Sequence, residues 1–366
     1  MSTIQRLATL AGIELGKDVQ IHNEECYNQI IRDGSLGLGE SYMQGCWDAD
    51  NLDDFFYKIA RSKLSSEYIS FSDKVYLALN WIYGCIFNHQ SIEKSKQVAV
   101  EHYDLGNDFY AKMLDQRMIY SCGYWQRNAR TLECAQEDKC QLICEKLQLK
   151  SGMKVLDIGC GWGGLAKYMA QKYKVEVVGV TISEQQYNYA KTENADPQVI
   201  YRLCDYRELK NEVQQYDAIV SVGMFEHVGE PNYALFFDIV NKLLKDDGLF
   251  LLHTIVNNIS QTVGDQWISK YIFPNSILPS LKQIMGSSES LLVPEDVHNF
   301  GSDYDRTLME WYKRFDAQYE GNKSGRFYRI WKYYLLSCAG MFRARRIQLC
   351  QVVFSKGKLG VYPSIR

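Results

Sequence analysis

A glycine-rich segment is the first place in the sequence where residue spacing points to chemistry. Residues 155–164 read Val-Leu-Asp-Ile-Gly-Cys-Gly-Trp-Gly-Gly, so an apolar run leads into Asp157 and then into Gly159, Gly161 and Gly163. Glycines at this spacing let the backbone turn sharply and approach a ligand, and the N-terminus of a following helix favours negative charge. The dinucleotide fingerprint is GxGxxG, whereas these glycines fall as GxGxGG with an acid two residues before the first. The segment therefore predicts a cofactor loop of another kind.

Two titratable residues, Glu226 and His253, each follow an apolar run that is predicted to be a strand. The carboxyl ends of parallel strands meet at one edge of a sheet, where open α/β folds bind their ligands. Both side chains are therefore candidates for acid–base work or for holding a charged group. The structural alternatives are that Glu226 is an acid at the start of a helix and that His253 is a hydrogen-bonded core histidine.

The elements that must position these residues alternate between strands and helices after Met153. Such alternation is typical of a parallel, doubly wound α/β sheet. The predicted strands are 154–158, 175–180, 199–203, 218–222, 249–254 and 347–354, and the predicted helices are 165–172, 184–193, 233–244 and 327–343. The aromatic-rich stretch at about 256–325 is expected to be an insertion that forms a substrate lid.

The first hundred residues have a helical pattern instead. Apolar residues recur at helical spacing within 52–60, and residues 75–87 form a second apolar segment. The polar run at 87–96 is typical of a linker. We therefore predict a small helical N-terminal domain at 1–95 and a catalytic domain at 96–366.

Composition and charge limit the class of protein. Apolar residues make up 46% of the chain and charged residues 23%, which is ordinary for a globular protein and excludes a disordered or collagen-like one. The formal net charge of −3 argues against a nucleic-acid partner. Residues 321–366 nevertheless hold ten Lys and Arg and no Asp or Glu, so this segment carries +10 and the other residues together −13. A solvated basic face is the simplest reading of that segregation.

Cysteine usage and the apolar runs bear on the compartment. The eleven cysteines include no CxxC pair, as expected in a reducing compartment. We recognise neither a signal peptide nor an apolar run of about 20 residues that would span a bilayer. Any contact with a membrane is therefore expected to be peripheral, and no metal site is expected.

The glycine segment resembles motif I of the S-adenosylmethionine (SAM) methyltransferases, which implies that SAM is the cofactor. By that resemblance the cofactor-binding residues are Asp157, Gly159, Gly161, Gly163, Thr181, Gln186, Tyr206 and Arg207. Most relatives carry an acid after the second strand for the ribose hydroxyls, and here neutral hydrogen bonds from Thr181 and Gln186 are expected to replace it. Asp205, Tyr206 and Arg207 follow the third strand, where adenine is expected, although Asp205 also fits a helix cap.

Six further strings make the resemblance more specific. They are EHYDLGNDFY at 101–110, YSCGYW at 120–125, GMFEHV at 223–228, LHTI at 252–255, YIFPN at 271–275 and HNFGSDY at 298–304. Together they resemble the cyclopropane-fatty-acyl-phospholipid synthases over roughly residues 98–358, and a helical N-terminal extension is typical of the bacterial phospholipid-acting type. The resemblance implies a Rossmann-like class I SAM-dependent methyltransferase fold with a seven-stranded sheet. It also implies transfer of the SAM methyl carbon to a cis double bond of an unsaturated phospholipid acyl chain, followed by closure of a three-membered ring.

That family uses a bound bicarbonate ion as the base for ring closure. Motif matching implies that bicarbonate is held by the side chains of Glu226, His253 and Tyr304 and by the backbone amides of Cys122 and Ile255. With this context the catalytic reading of the first two residues is favoured over the structural one.

Four more residues carry expectations from the same resemblance. Tyr120 and Ser121 are expected to reach the carboxylate of SAM. Cys338 matches a position treated as an active-site cysteine, although a thiol on an apolar helix is usually an inert core residue. Val256 stands where the family usually has glycine, and its side chain is expected to crowd the backbone beside the anion.

Two alternative functions are compatible with parts of this pattern. One is a SAM-dependent methyltransferase that leaves a methyl-branched acyl chain or methylates a small amine. The other is a non-catalytic lipid-binding module, which predicts a damaged glycine loop or the loss of Glu226 and His253, and neither is seen.

The expected location follows from the substrate. Because the acyl double bond lies inside a bilayer, the protein is expected to be cytoplasmic and to bind the inner face of the membrane peripherally. The helices before residue 100 would supply a docking face or the contact of a homodimer. Basic side chains near an anionic surface contribute about 1 kcal/mol each, so the basic segment is a second candidate for docking.

Overall fold

The computed structural model of the chain describes residues 3–62, 106–213, 215–357 and 360–366. It divides into two compact units, of which unit 1 comprises 1–88, 262–274 and 304–347, and unit 2 comprises 89–261, 275–303 and 348–366. The predicted helix at 75–87, the linker at 87–96 and the domain boundary at residue 95 lie outside the described residues. The predicted lid insertion at 256–325 is divided between the two units, and its role as a lid stays a prediction.

Unit 1 is mainly helical. Its described helices are Thr3–Leu10, Glu25–Met43, Leu52–Arg61, Gln266–Tyr271, Arg326–Arg343 and most of Ser302–Gln318, and its strands β1 (Gln20–Ile21) and β2 (Trp47–Asp48) pair antiparallel. The helical spacing predicted within 52–60 is confirmed, because one face of that helix buries Leu52, Phe55 and Phe56. Among the described helices of the chain, none is long and apolar enough to cross a membrane.

The last helix of unit 1 packs closely on the helix Leu52–Arg61. A Cβ at Gly340 would lie 2.4 Å from the carbonyl oxygen of Asp53, so only glycine permits this approach. The rings of Phe56 and Tyr333 meet edge to face across the two helices, with their centroids 5.0 Å apart. The segments of unit 1 that are distant in sequence therefore share one core.

Unit 2 is built on a seven-stranded sheet, as predicted. Its strands are β3 (Lys154–Ile158), β4 (Glu176–Thr181), β5 (Val199–Leu203), β6 (Tyr216–Val222), β7 (Leu244–Asn257), β8 (Val293–Asn299) and β9 (Ile347–Ser355). They lie in the order β5-β4-β3-β6-β7-β9-β8, with β3 to β7 in parallel pairs and β8 antiparallel to β9. The chain therefore winds outward from β3 in both directions, and β8 is a strand that the sequence pattern did not predict.

Helices cover both faces of this sheet. They are Asn107–Met113, Leu132–Lys146, Gly164–Tyr173, Glu184–Glu193, Tyr233–Leu243 and Leu281–Ser288, with short 3₁₀ turns at Tyr206–Asn211, Phe225–His227 and Glu230–Asn232. Alternate residues of each strand enter two separate apolar clusters, so that Leu156 and Ile158 lie in one and Val155 and Val177 in the other. A sheet buried on both faces accounts for the continuous apolar runs in the sequence.

Val256 belongs to the first of these clusters. Its side chain is buried among apolar residues of the sheet and of the helices that cover it. Successive side chains of a strand point to opposite faces, so Val256 faces away from Ile255 and His253. The crowding expected of a residue larger than glycine at this position is therefore not what the structure shows.

Candidate active site

The glycine loop joins β3 to the helix Gly164–Tyr173 and has the backbone that the motif predicts. Gly159, Gly161 and Gly163 have φ values of 81°, 56° and 85°, in the left-handed region that favours glycine. A Cβ at Gly163 would lie 2.4 Å from the hydroxyl oxygen of Tyr201, whereas one at Gly161 would meet nothing within 4 Å. The loop is therefore tightly packed at its end and open beside Gly161.

Asp157 lies just before this loop and is almost completely buried. Its Oδ2 has no hydrogen-bond partner among the described residues. Burial raises the pKa of this carboxyl to about 7, and only the charge of Lys139 opposes that shift. A buried acid without a partner is costly, so this atom points to a ligand with a hydrogen-bond donor.

Tyr120 and Ser121 lie in the same unit. Ser121 is buried, and its Cβ lies 3.9 Å from where a Cβ of Gly223 would stand, just after β6. The ring of Tyr120 contacts that of Tyr110, with centroids 5.4 Å apart. The YSCGYW segment is thus placed at the carboxyl end of the sheet.

Thr181 and Gln186 stand at the end of β4 and in the first turn of the next helix. The hydroxyl of Thr181 donates to Oε1 of Gln186 at 3.1 Å, and both side chains are buried. Ser183 caps this helix by accepting from the backbone N–H of Gln186. The neutral pair thus occupies the position where the sequence predicted contacts to the ribose.

Asp205 begins a 3₁₀ turn after β5. Its carboxylate accepts from the Arg207 backbone and guanidinium, and it forms a capping box with Glu208. Tyr206 lies in the apolar cluster against Phe236, and its hydroxyl has no partner among the described residues. The helix-cap reading of Asp205 is therefore confirmed, while contacts of Tyr206 and Arg207 with adenine stay predictions.

Glu226 and His253 both lie near the carboxyl end of β6, and His253 is inside β7. His253 pairs in register with Val222, and Glu226 lies in the 3₁₀ turn that follows β6. The backbone N–H of Ile255 donates to Oε1 of Glu226 at 2.7 Å. Oε2 is buried without a partner among the described residues, and burial raises the pKa of this carboxyl to about 7.

The ring of His253 is buried and neutral. Burial, with the charges of Lys139 and Lys146, holds its pKa well below the usual range. Nδ1 lies 3.3 Å from Nε2 of Gln351, and Nε2 of the histidine has no partner among the described residues. Nε2 of His253 and Oε2 of Glu226 are thus both buried without a hydrogen-bond partner among the described residues. Both residues lie toward the carboxyl end of the sheet.

The remaining predicted residues are distributed between the units. Cys122 is buried in unit 2, and its thiol donates to the carbonyl of Gly123. Tyr304 belongs to unit 1, where its ring lies against Phe342 at 4.5 Å. Cys338 also belongs to unit 1, and burial raises the pKa of its thiol to about 12, so it is protonated at neutral pH. Thus Glu226 and Ile255 are hydrogen-bonded, and His253 lies two residues before Ile255 on β7. The catalytic roles of these three residues and of Cys122, Tyr304 and Cys338 stay predictions.

Two polar residues that sequence reasoning missed contact predicted ones. Gln351 on β9 faces His253, and Lys139 on the helix Leu132–Lys146 donates to Ser121 at 2.7 Å. The only signal in the sequence was that Gln351 is a polar residue in the middle of a mainly apolar strand.

Comparison with known proteins supplies the family context. The family described as mycolic acid cyclopropane synthetase matches residues 89–352. The chain is 51% identical over 360 residues to the cyclopropane-fatty-acyl-phospholipid synthase of Escherichia coli strain K12, covering 96% of this chain and 92% of that one.

Solved structures agree with this assignment. A mycolic acid cyclopropane synthase in complex with SAH and CTAB superposes with a TM-score of 0.64 at 33% identity, covering 71% of this chain and 97% of that one. Coclaurine N-methyltransferase bound to N-methylheliamine and SAH gives a TM-score of 0.69 at 23% identity, covering 87% and 99% of the two chains, which shows the fold alone.

Proposed function

The chain belongs to the mycolic acid cyclopropane synthetase family of SAM-dependent methyltransferases, and from this membership we propose that it cyclopropanates unsaturated phospholipid acyl chains. The methyl carbon of SAM becomes bonded to both carbons of a cis double bond; its bond to sulfur breaks, which releases S-adenosylhomocysteine, and it loses one proton as the ring closes. Bicarbonate is proposed as the acceptor of that proton. The observation that carries the proposal is the pair of buried, unpartnered atoms Glu226 Oε2 and His253 Nε2.

The residues around the glycine loop fit SAM. The positive φ values of Gly159, Gly161 and Gly163 and the open space beside Gly161 provide a cradle that a side chain would fill. The unpartnered Oδ2 of Asp157 offers an acceptor for the ammonium group of the methionine part. Tyr120, Ser121, Thr181, Gln186, Tyr206 and Arg207 are proposed as the further contacts.

The residues at β6 and β7 fit bicarbonate. A small anion between Glu226 and His253 would satisfy two buried polar atoms that otherwise cost free energy. We take Nε2 of Gln351 as the donor to Nδ1 of His253; with this assignment Nε2 of the ring carries the proton and donates to the anion. Glu226 shares a proton with it, since a second negative charge nearby raises the carboxyl pKa further.

The chain's own groups do the positioning and exclude water. When bound, SAM supplies an electrophilic methyl carbon and bicarbonate supplies a base. An alkene needs no deprotonation before it attacks, so no side-chain base is required for the first step and positioning supplies much of the rate. The buried state of Glu226 and His253 keeps water from the cation that forms on the acyl chain.

The direct experiment uses the full chain, SAM and vesicles of cis-unsaturated phospholipid, with gas chromatography of the fatty acids. We expect cyclopropane fatty acids, whereas methyl-branched chains or no lipid product would support the alternative methyltransferase readings. A parallel incubation with small amines and labelled SAM tests the amine acceptor.

A variant tests the role of Glu226. In Glu226→Gln, ring formation at saturating bicarbonate should fall by about tenfold or more, because an amide cannot share a proton with the anion. Glu230→Gln is the matched control, since Glu230 is an exposed acid four residues further along. Unchanged ring formation in Glu226→Gln would contradict the anion-holding role.

The sequence indicates an exposed basic surface at residues 321–366, but half of its ten basic residues are engaged in ion pairs. Five of its basic residues form ion pairs within their own unit: Lys323–Asp316, Arg329–Asp48, Arg343–Asp305, Lys356–Asp246 and Arg366–Asp296. These pairs offset much of the charge that residues 321–366 would bring to a membrane.

We therefore propose that the N-terminal helices dock on phospholipid. Leu10 and Ile31 are apolar and expose 46% and 45% of their surface. In vesicle co-sedimentation, Ile31→Glu should reduce binding several-fold, while Asn28→Glu adds the same charge at an exposed polar position of the same helix. Equal binding by Ile31→Glu and the unmodified chain would contradict docking through this helix.

A further inference from the structure

A buried lysine stands beside the proposed SAM site, and the part of the chain that the structure describes gives it no counter-ion. Lys139 is 1% exposed and lies on the helix Leu132–Lys146. Its Nζ donates one hydrogen bond, to Oγ of Ser121 at 2.7 Å. Among the described residues no carboxylate lies within ion-pair distance of it, so a buried ammonium keeps two N–H groups for another acceptor. Burial lowers the pKa of Lys139, so an anionic ligand at this site would be the group that holds the amine in its charged form.

The same helix face fixes the segment that carries Ser121. Gln136 lies one turn before Lys139 and donates to the backbone carbonyl of Ser121 at 2.8 Å. Residues three apart lie on the same face of a helix, so both side chains reach this segment. Because Oγ of Ser121 accepts from Lys139, its own hydroxyl hydrogen is directed elsewhere.

Asp157 supplies the opposite charge nearby. Lys139 is the charged group that lowers the pKa of Asp157 against the effect of burial, so the two interact electrostatically without forming an ion pair. Asp157 Oδ2 is unpartnered, as described above. One buried amine that has no ion pair and one buried carboxyl oxygen that has no hydrogen bond, both among the described residues, are complementary to a zwitterion.

We propose that Lys139 is the counter-charge for the α-carboxylate of the methionine part of SAM, with Asp157 facing the α-ammonium. This inference rests on the proposed SAM site and adds Lys139 to it as a binding residue. Ser121, held by Lys139, donates its hydroxyl hydrogen to the same carboxylate. The pair therefore selects ligands with an intact amino-acid group over those without one.

Binding of two product analogues tests this assignment without turnover. S-adenosylhomocysteine carries the amino-acid group, whereas 5′-methylthioadenosine lacks it. Calorimetry on Lys139→Met should show an affinity for S-adenosylhomocysteine that is about 10- to 100-fold weaker, as for a lost charged hydrogen bond. The affinity for 5′-methylthioadenosine should change less than about twofold. Lys172→Met, at an exposed position of the neighbouring helix, is the matched control.

If Lys139→Met weakened the affinities for both ligands equally, Lys139 would have only a structural role and the proposal would be overturned. Unchanged affinity for S-adenosylhomocysteine would also overturn it. If Lys139→Met does not fold, the unmodified chain still provides the test. Decarboxylated SAM should bind it at least about tenfold more weakly than SAM, and equal affinity would overturn the proposal. Failure of the unmodified chain to bind S-adenosylhomocysteine would instead contradict the proposed function.

Discussion

The backbone N–H of Ile255 donates to Oε1 of Glu226 at 2.7 Å and leaves the other carboxyl oxygen buried and unpartnered. The amide that the family resemblance assigns to bicarbonate is thus bonded to the glutamate in this structure. Glu226 is fixed by the strand that carries His253, so both groups are positioned by β7. Under the proposed function, the unpartnered Oε2 of Glu226 would be the atom that faces the anion.

Bicarbonate binding should depend on pH through Glu226. The pKa of this carboxyl is raised to about 7, and a neighbouring anion favours the protonated form still more. Above pH 7 the anion therefore binds together with one proton, and its apparent affinity should fall about tenfold per pH unit. The measurement is the KM for bicarbonate at each pH from 6.5 to 8.5, with the rate plotted against the concentration of free HCO₃⁻. In Glu226→Gln the affinity should be weak and independent of pH, and a flat profile in the unmodified enzyme would contradict proton sharing.

Gln351 should set the tautomer of His253. Gln351→Leu removes the amide that lies 3.3 Å from Nδ1 of His253. Without this amide the ring proton is no longer confined to Nε2, so the molecules should be divided between the two tautomers. We expect kcat to fall about five- to tenfold with an unchanged KM for SAM, and the ¹⁵N shifts of the His253 ring to show mixed tautomers. Gln348→Leu, at a buried position on the same strand, is the control. A slower enzyme with unchanged ¹⁵N shifts would mean that Gln351 acts only structurally.

The parallel part of the sheet could be predicted because its strands are buried on both faces and read as apolar runs. β8 escaped prediction because its inward-facing residues include Asp296 and His298. These polar groups are buried with Lys146, which hydrogen-bonds to Asp296, and the exposed Arg366 donates to the same carboxylate. Because β8 contributes polar side chains to this buried network, its sequence has the composition of a loop and not the apolar pattern of a strand.

Site residues that lie in recognisable motifs could be predicted from the sequence. Site residues that are positioned by contacts between distant parts of the chain could not. Glu226, His253 and the glycine loop lie in strings that determine their positions at strand ends. Gln351 is 98 residues from His253 in sequence, and only the strand order β7-β9 brings them together. The role of Lys139 depends on a helix that precedes the sheet, so spacing alone gives no sign of it.

Arg329 should be a main contributor to the stability of unit 1. Its guanidinium donates to the carbonyls of Tyr42 and Trp47 and to the carboxylate of Asp48. Arg329→Met removes these three hydrogen bonds and the ion pair with Asp48, which should cost about 3 kcal/mol of unfolding free energy. Arg326→Met, at an exposed position of the same helix, should cost less than about 0.5 kcal/mol. Denaturant unfolding of both variants measures the difference, and equal midpoints would contradict the assignment.

The buried carboxyl of Asp157 should lower the free energy of unfolding at neutral pH and strengthen cofactor binding. Its pKa is raised from 3.8 to about 7, so between these values the folded state holds a proton that the unfolded state releases. The free energy of unfolding should therefore fall as the pH rises through this range and remain lower above it. Asp157→Asn removes this contribution, and it should be more stable than the unmodified chain at pH 8 by about 2–4 kcal/mol, with little difference at pH 4.

The same substitution should weaken binding of S-adenosylhomocysteine about tenfold or more, because a neutral amide does not balance the ammonium of the ligand. Denaturant unfolding at pH 4 and pH 8, with calorimetry at pH 8, tests both effects on one protein. Asp217→Asn is a control of the same type, since that acid lies on β6, is partly exposed and pairs with Lys245. A destabilised Asp157→Asn that binds the ligand normally would show that the buried acid serves the fold and not the cofactor.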